Sequence, residues 1–255
     1  MALLEAVDCS LSFGGLKAVS GFSLAVEPGE LVGLIGPNGA GKTTVFNLIT
    51  GVYRPDEGDI RLEGKRIAGL RPYQINRRGI ARTFQGIRLF ANMTALENVL
   101  VGYDHRSDHR LLGTVLRTRY AERQSRQLEA DCLALLEMVG LREQRDTVAR
   151  SLPYGLQRRL EIARALATRP KLLLLDEPAA GTNPLEKIEL MEKIRWLRND
   201  LGLAILIIEH DMKLIMQICE RITVLDHGET IASGRPEDIR ADPRVIEAYL
   251  GTIGE

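Results

Sequence analysis

The sequence has little of what marks a secreted or membrane-spanning protein. Its three cysteines are odd in number and widely separated, which argues against a disulfide framework and indicates reduced thiols. Its longest apolar runs, near Leu172–Leu175 and Leu203–Ile208, are far shorter than the roughly 20 residues of a membrane span. The opening residues carry two acidic side chains where a signal peptide needs a basic start. We therefore expect a soluble cytosolic protein that serves any membrane from its surface.

The sequence also lacks an excess of charge of either sign, because 34 lysines and arginines balance 34 aspartates and glutamates. A protein that coats nucleic acid normally carries a basic surplus, so we expect no nucleic-acid partner. With 255 residues, 45% of them hydrophobic, the chain is long enough to bury a large core. These quantities predict one domain, or one domain that carries a subdomain.

Short apolar runs alternate with helical patterns in the two outer parts of the chain. The runs Leu31–Ile35, Leu172–Leu175 and Ala204–Ile208 are typical of buried parallel strands. Between the last two runs, apolar side chains recur every three residues from Pro184 to Asp200, which indicates a helix. This alternation predicts a doubly wound α/β core. Shorter strand patterns complete the prediction: Leu3–Val7, Phe22–Val26, Ile222–Leu225 and Thr230–Ala232. The segment Asp226-His227-Gly228 between the last two predicts a hairpin turn.

The middle of the chain differs from its flanks. From Asn92 to about Thr168 the sequence shows helical patterns and no convincing strand, so we predict a helical subdomain inserted into the α/β core. An arginine-rich stretch, Arg106–Arg126, has few large apolar residues on any one face and is expected at the periphery. The simplest interpretation of these arginines is a solvated helix face.

A phosphate-binding loop is predicted where the first buried strand ends. The segment GPNGAGKTT fits the pattern G-x-x-x-x-G-K-[ST] in full and precedes residues that can continue as a helix. Its glycines allow positive φ angles and bring backbone N–H groups against phosphate oxygens, and the helix N-terminus adds partial positive charge. Lys42 would bridge the β- and γ-phosphates, and Thr43 would ligate Mg²⁺. The predicted ATP-binding residues of the loop are Gly36, Pro37, Asn38, Gly39, Ala40, Gly41, Lys42, Thr43 and Thr44.

Two carboxylates follow the second buried strand, at the edge where a parallel sheet binds its ligands. Asp176 suits a water-mediated contact to Mg²⁺, and Glu177 suits polarising an attacking water. An acidic pair in this place can instead cap a helix, but the phosphate loop favours the catalytic interpretation. His210 and Gln85 would by default be structural and surface residues. Their expected places at strand ends beside the phosphate loop make them candidate sensors of the γ-phosphate or the metal.

The phosphate loop, RTFQ, LLLLDEP and IIEHD together resemble the nucleotide-binding subunit of ATP-binding cassette (ABC) transporters, in their order and spacing over essentially the whole chain. This resemblance implies a P-loop NTPase of the α/β class, with a RecA-like core, a small antiparallel β part and an inserted α-helical subdomain. Residues 1–91 and 169–255 would form the core of this single ABC ATPase domain, and residues 92–168 the helical subdomain. ATP and Mg²⁺ are the implied cofactors.

The resemblance also implies individual roles. Phe13 would stack on adenine, although without the family it would be interpreted as a core aromatic. Gln85 would link Mg²⁺ and the attacking water to the membrane partner. Glu177 would be the catalytic carboxylate, and His210 would hold the γ-phosphate. Lys42 joins this catalytic group, and the implied metal ligands are Thr43, Gln85 and Asp176.

The family signature, usually LSGGQ, is degenerate in this chain. Pro153 replaces the usual serine and so lacks both a hydroxyl and a backbone N–H. In the family the signature faces ATP on a partner subunit, where a lost charge-assisted hydrogen bond is worth about 1.5–3 kcal/mol. We therefore predict that the ATP site completed by this signature is weaker than the site on this chain's own phosphate loop. The signature residues are Leu152, Pro153, Tyr154, Gly155, Leu156 and Gln157.

Longer stretches are similar to one subfamily, the cassettes of branched-chain amino acid importers. This similarity implies a second ATP-binding subunit in a homodimer or heterodimer, two membrane permease subunits and, indirectly, an extracytoplasmic solute-binding protein. The chain would then lie on the cytoplasmic face of the inner or plasma membrane, as a peripheral subunit. The similar stretches are Phe13–Val19, Arg82–Gly102, Tyr154–Thr168, Asp176–Pro184, Ile207–Met216 and Asp242–Gly251.

Other functions are compatible with parts of this pattern. Urea importers and lipopolysaccharide-transport cassettes share much of the same sequence, so the transported solute stays open. A soluble ABC ATPase that acts on DNA or the ribosome would be expected to carry a coiled-coil insertion or two cassettes, and the sequence shows neither. A P-loop kinase or GTPase would not explain Gln85, the LPYGL segment and His210 in this order.

Overall fold

The computed structural model describes residues 1–104 and 119–250, and the chain divides into two compact units. Unit 1 comprises Met1–Gln85, Lys171–Ala180 and Pro184–Glu255, and unit 2 comprises Gly86–Pro170 and Gly181–Asn183. The strands are β1 (Leu4–Phe13), β2 (Leu16–Val26), β3 (Leu31–Ile35), β4 (Glu57–Leu62), β5 (Lys65–Arg66), β6 (Ile80–Arg82), β7 (Leu172–Asp176), β8 (Ala204–Ile208), β9 (Arg221–Asp226) and β10 (Glu229–Gly234). The described helices are α1 (Lys42–Ile49), α2 (Pro72–Arg78), α3 (Ala95–Asp104), α4 (Arg119–Met138), α5 (Tyr154–Ala167), α6 (Pro184–Leu201), α7 (Met212–Ile218), α8 (Pro236–Ala241) and α9 (Pro243–Leu250).

Unit 1 contains a six-stranded, mostly parallel sheet in the order β10-β9-β3-β8-β7-β6. All five residues of β3, of β7 and of β8 are buried, which explains why these strands are continuous apolar runs in the sequence. Only β10 runs antiparallel, through the hairpin with β9. The predicted α/β core and its late hairpin are therefore confirmed.

A second, four-stranded antiparallel sheet, in the order β2-β1-β4-β5, also belongs to unit 1. Its apolar side chains share one buried cluster with α1 and with the parallel sheet. Phe22 of β2, Phe46 of α1 and Leu206 of β8 are among the completely or almost completely buried members of this cluster. Helix α1 and the phosphate loop are thus held between two sheets.

The parallel register brings several strand ends to one edge. Arg82 at the end of β6 is opposite Leu174, Asp176 at the end of β7 is opposite Ile208, and β3 ends beside β8 and β9. Because parallel strands end on the same side of a sheet, the residues that follow them converge there. The phosphate loop and the two carboxylates are consequently neighbours.

Unit 2 is built from α3, α4 and α5, with two 3₁₀ turns, Arg142–Gln144 and Ala149–Ser151. In its described part, the only extended pairing is an isolated bridge between Thr94 and Val148. Gly102 lets α3 approach α5, since a Cβ there would lie 2.5 Å from the carbonyl oxygen of Arg164. The arginine-rich stretch predicted at the periphery falls largely outside the described residues.

Unit 2 begins at Gly86, six residues before the predicted start of the helical subdomain at residue 92. The intervening loop is bonded to helices of unit 2. The N–H of Arg88 donates to Glu161 on α5 at 3.0 Å, and the N–H of Phe90 donates to Asn98 on α3 at 2.9 Å. These bonds assign the loop to the helical unit. Across residues 1–104 and 119–250, no helix combines the length and the apolar character that crossing a bilayer requires.

The loop before α3 depends on one completely buried side chain, Asn98. Its amide oxygen accepts from the N–H of Phe90, and its amide nitrogen donates to the carbonyls of Phe90, Met93 and Thr94. We expect Asn98→Ala to lower the free energy of unfolding by about 2–3 kcal/mol, because buried backbone groups lose their partners. Urea unfolding of the purified chain measures this change. Asn92→Ala, at an exposed position of the same loop, is the control and should change stability by less than about 0.5 kcal/mol. Equal effects of the two substitutions would contradict the role of Asn98.

Candidate nucleotide-binding site

The phosphate loop connects β3 to α1 and closely approaches the neighbouring strand. Gly36 has a φ of 150°, and a Cβ on it would lie 2.0 Å from the carbonyl oxygen of Leu225 in β9. Gly41, with a φ of 100°, precedes α1 at the N-cap position. Only glycine fits these two positions without displacing the backbone. The loop therefore takes the compact form that leaves its N–H groups at the start of a helix.

Lys42, the first residue of α1, is 8% exposed and turns back over the loop. Its Nζ donates to the carbonyl oxygens of Gly36 and Pro37, each at 2.7 Å. Burial lowers the pKa of Lys42, and the negative charges of Glu177 and Asp176 act in the opposite direction. The amine thus lies against the loop and within electrostatic range of both carboxylates.

A cavity of about 560 Å³ lies over the loop in unit 1. One wall is formed by the first residues of β2, another by His227 in the turn between β9 and β10, and a third by Gln85 and Glu177, which follow β6 and β7. Both the volume and this mixed lining suit a nucleotide. The lining residues are Leu16, Lys17, Ala18, Asn38, Gly39, Ala40, Gly41, Lys42, Thr43, Thr44, Gln85, Glu177 and His227.

The two predicted carboxylates occupy different environments. Asp176 is 2% exposed, and its Oδ2 accepts a hydrogen bond from Nη2 of Arg82 at 2.7 Å. Glu177 lines the cavity and has a left-handed backbone with a φ of 46°, and its N–H donates to the carbonyl of Ile208 at 2.9 Å. The Oε2 atom of Glu177 accepts from Nε2 of Gln85 at 3.0 Å. The structure therefore brings Gln85 and Glu177 together inside the cavity.

His210 follows β8 but is not one of the residues that line the cavity. Its side chain is 58% exposed, with Nδ1 3.6 Å from Oε2 of Glu209. Glu209 is 1% exposed, and its Oε1 accepts from the N–H of Ala179 at 2.9 Å. This buried carboxylate connects the His210 segment to the segment after Glu177, and no pattern in the sequence predicted this link.

Phe13 also lies outside the set of cavity-lining residues. It is 45% exposed and packs edge-on against Tyr53, with ring centroids 5.1 Å apart. Leu16 and Lys17, at the start of β2, line the cavity instead. Stacking of Phe13 on adenine therefore stays a prediction.

The signature residues belong to unit 2, at the start of α5. Pro153 is the N-cap residue, and no side chain caps the helix. Leu152 is buried, and its carbonyl oxygen accepts from Nε2 of Gln157 at 2.8 Å. The ring of Tyr154 stacks under the guanidinium of Arg158 at 5.4 Å, and its hydroxyl oxygen accepts from the same group at 3.0 Å. The uncapped first turn of α5 presents N–H groups that suit an anion.

Several cavity residues were not singled out from the sequence. Leu16, Lys17 and Ala18 lie in the stretch FGGLKAV, in which only Phe13 was assigned a role. His227 stands at the β9–β10 turn, with a φ of 44°, and was recognised there only as part of a hairpin. No local pattern marks either segment as part of the site. Both are separated from the phosphate loop along the sequence, and only the pairing of the strands brings them to it.

The donor set suits Mg²⁺ held together with nucleotide phosphates. Among the residues that the structure describes, no cluster of three or more histidine, cysteine, aspartate or glutamate side chains could hold a metal alone. Thr43, Gln85 and Asp176 supply instead a hydroxyl, an amide oxygen and a carboxylate. Mg²⁺ keeps several waters and typically binds one or two carboxylates plus substrate phosphates. The residues present therefore fit this ion.

Three features define a P-loop NTPase. A glycine loop follows a buried parallel strand, a lysine folds back over that loop, and an acidic pair lies at the end of a nearby strand of the same sheet. A sequence profile described as "ABC transporter" matches residues 19–180, which is more than half of the chain. The chain therefore belongs to the ABC transporter family, as an ATP-binding subunit. A second profile, described as "Branched-chain amino acid ATP-binding cassette transporter", matches residues 229–253.

Similar proteins support this assignment over the whole length. The chain is 48% identical over 249 residues to the high-affinity branched-chain amino acid transport ATP-binding protein BraF of Pseudomonas aeruginosa, and 49% identical over 249 residues to LivG of Escherichia coli K12, which has the same description. Each match covers 98% of both chains. A crystal structure of an ATP-binding cassette of an ABC transporter in its ADP conformation superimposes with a TM-score of 0.85 at 33% identity, covering 98% of this chain and 99% of that one.

The geometry of Lys42 leads to a test of the site. Replacing it with methionine in Lys42→Met removes a charge-assisted hydrogen bond to phosphate, so we expect the affinity for ATP to fall about ten- to hundredfold. Calorimetry on the purified chain measures the dissociation constant. The matched control is Lys17→Met, which removes an ammonium group that lines the same cavity outside the phosphate loop and should change the affinity less than about threefold. Equal losses in both variants would show that the lysine inside the loop has no special role.

Proposed function

We propose that this chain hydrolyses ATP to power the import of branched-chain amino acids through a membrane ABC transporter. One observation carries the hydrolytic part: Gln85 and Glu177 are hydrogen-bonded to each other inside the cavity that Lys42 and the phosphate loop enclose. The solute is supported by the names of the relatives BraF and LivG and by the profile that matches residues 229–253.

In the proposed reaction the phosphate loop binds the β- and γ-phosphates through its N–H groups and Lys42. Glu177 orients and polarises the attacking water, and Gln85 holds the Glu177 carboxylate toward the cavity through its amide N–H. Such assistance needs no large pKa shift, because phosphoryl transfer depends mainly on positioning and charge neutralisation. Thr43, Gln85 and Asp176 would hold Mg²⁺, which when bound neutralises charge on the phosphates.

A second ATP-binding subunit would complete the site. We propose that its signature segment closes over the nucleotide bound by this chain, and that this chain's Leu152–Gln157 segment closes over the partner's nucleotide. The uncapped start of α5 supports this role, since its N–H groups and partial positive charge suit a phosphate. His210 would contact the γ-phosphate in the closed pair. Because ADP offers no γ-phosphate, ATP alone would favour closure.

The subunit would work at the cytoplasmic face of the membrane, docked beneath two permease subunits that receive the solute from an extracytoplasmic binding protein. A second solute has a specific observation in its favour. The chain is 38% identical over 251 residues to the lipopolysaccharide export system ATP-binding protein LptB of Haemophilus influenzae. The higher identity to BraF and LivG favours branched-chain amino acids.

Uptake measurements test the proposed function. Deleting the gene should abolish high-affinity uptake of radiolabelled leucine, isoleucine and valine, and a plasmid copy should restore it. Uptake of radiolabelled urea and the amount of surface lipopolysaccharide are measured in the same cells. Normal leucine uptake with a defect in either of the other two would show that the solute is wrong, and no defect in any would contradict a transport role.

Replacing the carboxylate in Glu177→Gln should leave ATP affinity within about threefold of the original, because the side chain keeps its size and remains a hydrogen-bond acceptor. ATP turnover should fall about a hundredfold or more, because the group that polarises water is lost. Phosphate release by the assembled transporter measures the rate, and size-exclusion chromatography with ATP measures trapping of the closed pair. A variant with near-normal turnover would exclude Glu177 as the catalytic carboxylate.

Restoring the family residue in Pro153→Ser should accelerate hydrolysis at the site that this signature completes. The added hydroxyl can donate one charge-assisted hydrogen bond to the γ-phosphate, which corresponds to about a tenfold gain or more. Single-turnover hydrolysis is measured separately at each site, with the other disabled by an Ala substitution of its phosphate-loop lysine. Gly155→Ala, in the same segment, adds bulk without a donor and serves as the control. Equal rates at the two sites, insensitive to Pro153→Ser, would contradict the predicted asymmetry.

A further inference from the structure

Arg82 lies at the end of β6, three residues before Gln85, and its side chain is 7% exposed. The proposed hydrolysis gives it no task, and its charge is nevertheless buried beside Asp176. We propose that Arg82 is a positioning residue that fixes the carboxylate of Asp176 in the orientation in which it serves Mg²⁺. This inference rests on the Mg²⁺ role proposed above for Asp176.

The two terminal nitrogens of Arg82 contact different elements. Its Nη2 donates to Oδ2 of Asp176 at 2.7 Å, and its Nη1 donates to Oδ1 of Asn47 on α1 at 2.7 Å and to the hydroxyl of Thr50 at 3.3 Å. Its Nε is buried and has no hydrogen-bond partner among the described residues. The two terminal nitrogens therefore set the direction of the guanidinium, which bridges β7, the strand of Asp176, and α1, the helix that follows the phosphate loop.

Aromatic rings fix the plane of the same guanidinium. Its carbon lies 5.4 Å from the ring centroid of Phe46 on α1 and 5.2 Å from that of Phe84. These distances are within the range of cation–π attraction, and Phe46 is completely buried. A planar fork held by two hydrogen-bonded arms and two rings has little freedom to rotate.

The hydrogen bonds described for the Asp176 side chain go to Oδ2 alone. Because Arg82 fixes Oδ2, the carboxylate cannot turn freely. Oδ1 is then the oxygen that would contact Mg²⁺ or its bound water. Partners that orient metal-binding carboxylates typically change metal affinity 10- to 100-fold when they are removed. Arg82 also has an opposing effect, because its positive charge repels Mg²⁺. Positioning and charge therefore predict opposite results when the arginine is replaced.

The experiment compares binding of the non-hydrolysable analogue AMP-PNP to the full chain in Mg²⁺ and in EDTA. The ratio of the two dissociation constants is the Mg²⁺ enhancement, which is independent of turnover. For Arg82→Met we expect the enhancement to fall about tenfold, while binding in EDTA changes less than about threefold. For Arg82→Lys, which keeps the charge but replaces the two-armed fork with a single nitrogen, we expect a decrease of similar size.

The control is Arg221→Met, which breaks a two-armed ion pair between Arg221 and Glu30 at the start of β9, away from the strand ends that carry the site. Its enhancement should be unchanged. If Arg82→Met does not fold, the test uses Arg82→Lys and Asn47→Ala instead. For Asn47→Ala we expect the Mg²⁺ enhancement to fall about threefold, because this variant removes one hydrogen-bond acceptor of the guanidinium. An enhancement that rises in Arg82→Met, or stays normal in the folded variants, overturns the positioning role alone. A wild-type chain without Mg²⁺ enhancement overturns the proposed metal site as well.

Discussion

The molecule depends on the complete burial of a parallel sheet whose strands end together. Strands β3, β7 and β8 have no exposed residue, so their backbone groups must pair with one another and their register is fixed. Polar groups can appear only where the strands end. The phosphate loop, the acidic pair and Glu209 all stand at these ends. The same constraint that stabilises the core thus concentrates charged groups at one edge.

This edge has to balance buried charges before any nucleotide binds. Two cations, Lys42 and Arg82, and two carboxylates, Asp176 and Glu177, meet there, and three of the four groups are almost fully buried. Each has a defined partner: carbonyls of the loop for Lys42, Asp176 for Arg82 and Gln85 for Glu177. Lys42 is the only one of the four whose described partners are backbone carbonyl oxygens, and these are weaker partners for an ammonium group than a triphosphate. Binding can therefore exchange its contacts while the arginine stays in place.

Much of this arrangement could be predicted from the sequence, because it depends on local patterns. The runs at Leu31–Ile35 and Ala204–Ile208 are strands with the predicted bounds. The helix predicted from Pro184 to Asp200 ends one residue later, at Leu201. Strands β4, β5 and β6 were not predicted. Strands β5 and β6 have only two and three residues, and β4 has only two buried residues, so none of them forms a continuous apolar run. His227 and Lys17 were not assigned to the site because a local pattern contains no information on which distant segments the sheets bring together. Phe13 is 45% exposed and is not among the cavity-lining residues, so its stacking on adenine stays a prediction that comes from the family resemblance alone.

The signature segment shows how a sequence that departs from its family can still be built into the fold. Tyr154 replaces a small residue, and the space for its ring exists because Gly181 has no side chain; a Cβ there would lie 3.0 Å from Cε1 of the tyrosine. Its hydroxyl meets Arg158, which is 3% exposed and paired with the equally buried Glu161. Such a buried pair needs its hydrogen bonds satisfied. Replacing Tyr154 with glycine alone would therefore remove one hydrogen-bond partner of the buried Arg158, so the half-exposed tyrosine is packed together with Gly181 and this ion pair.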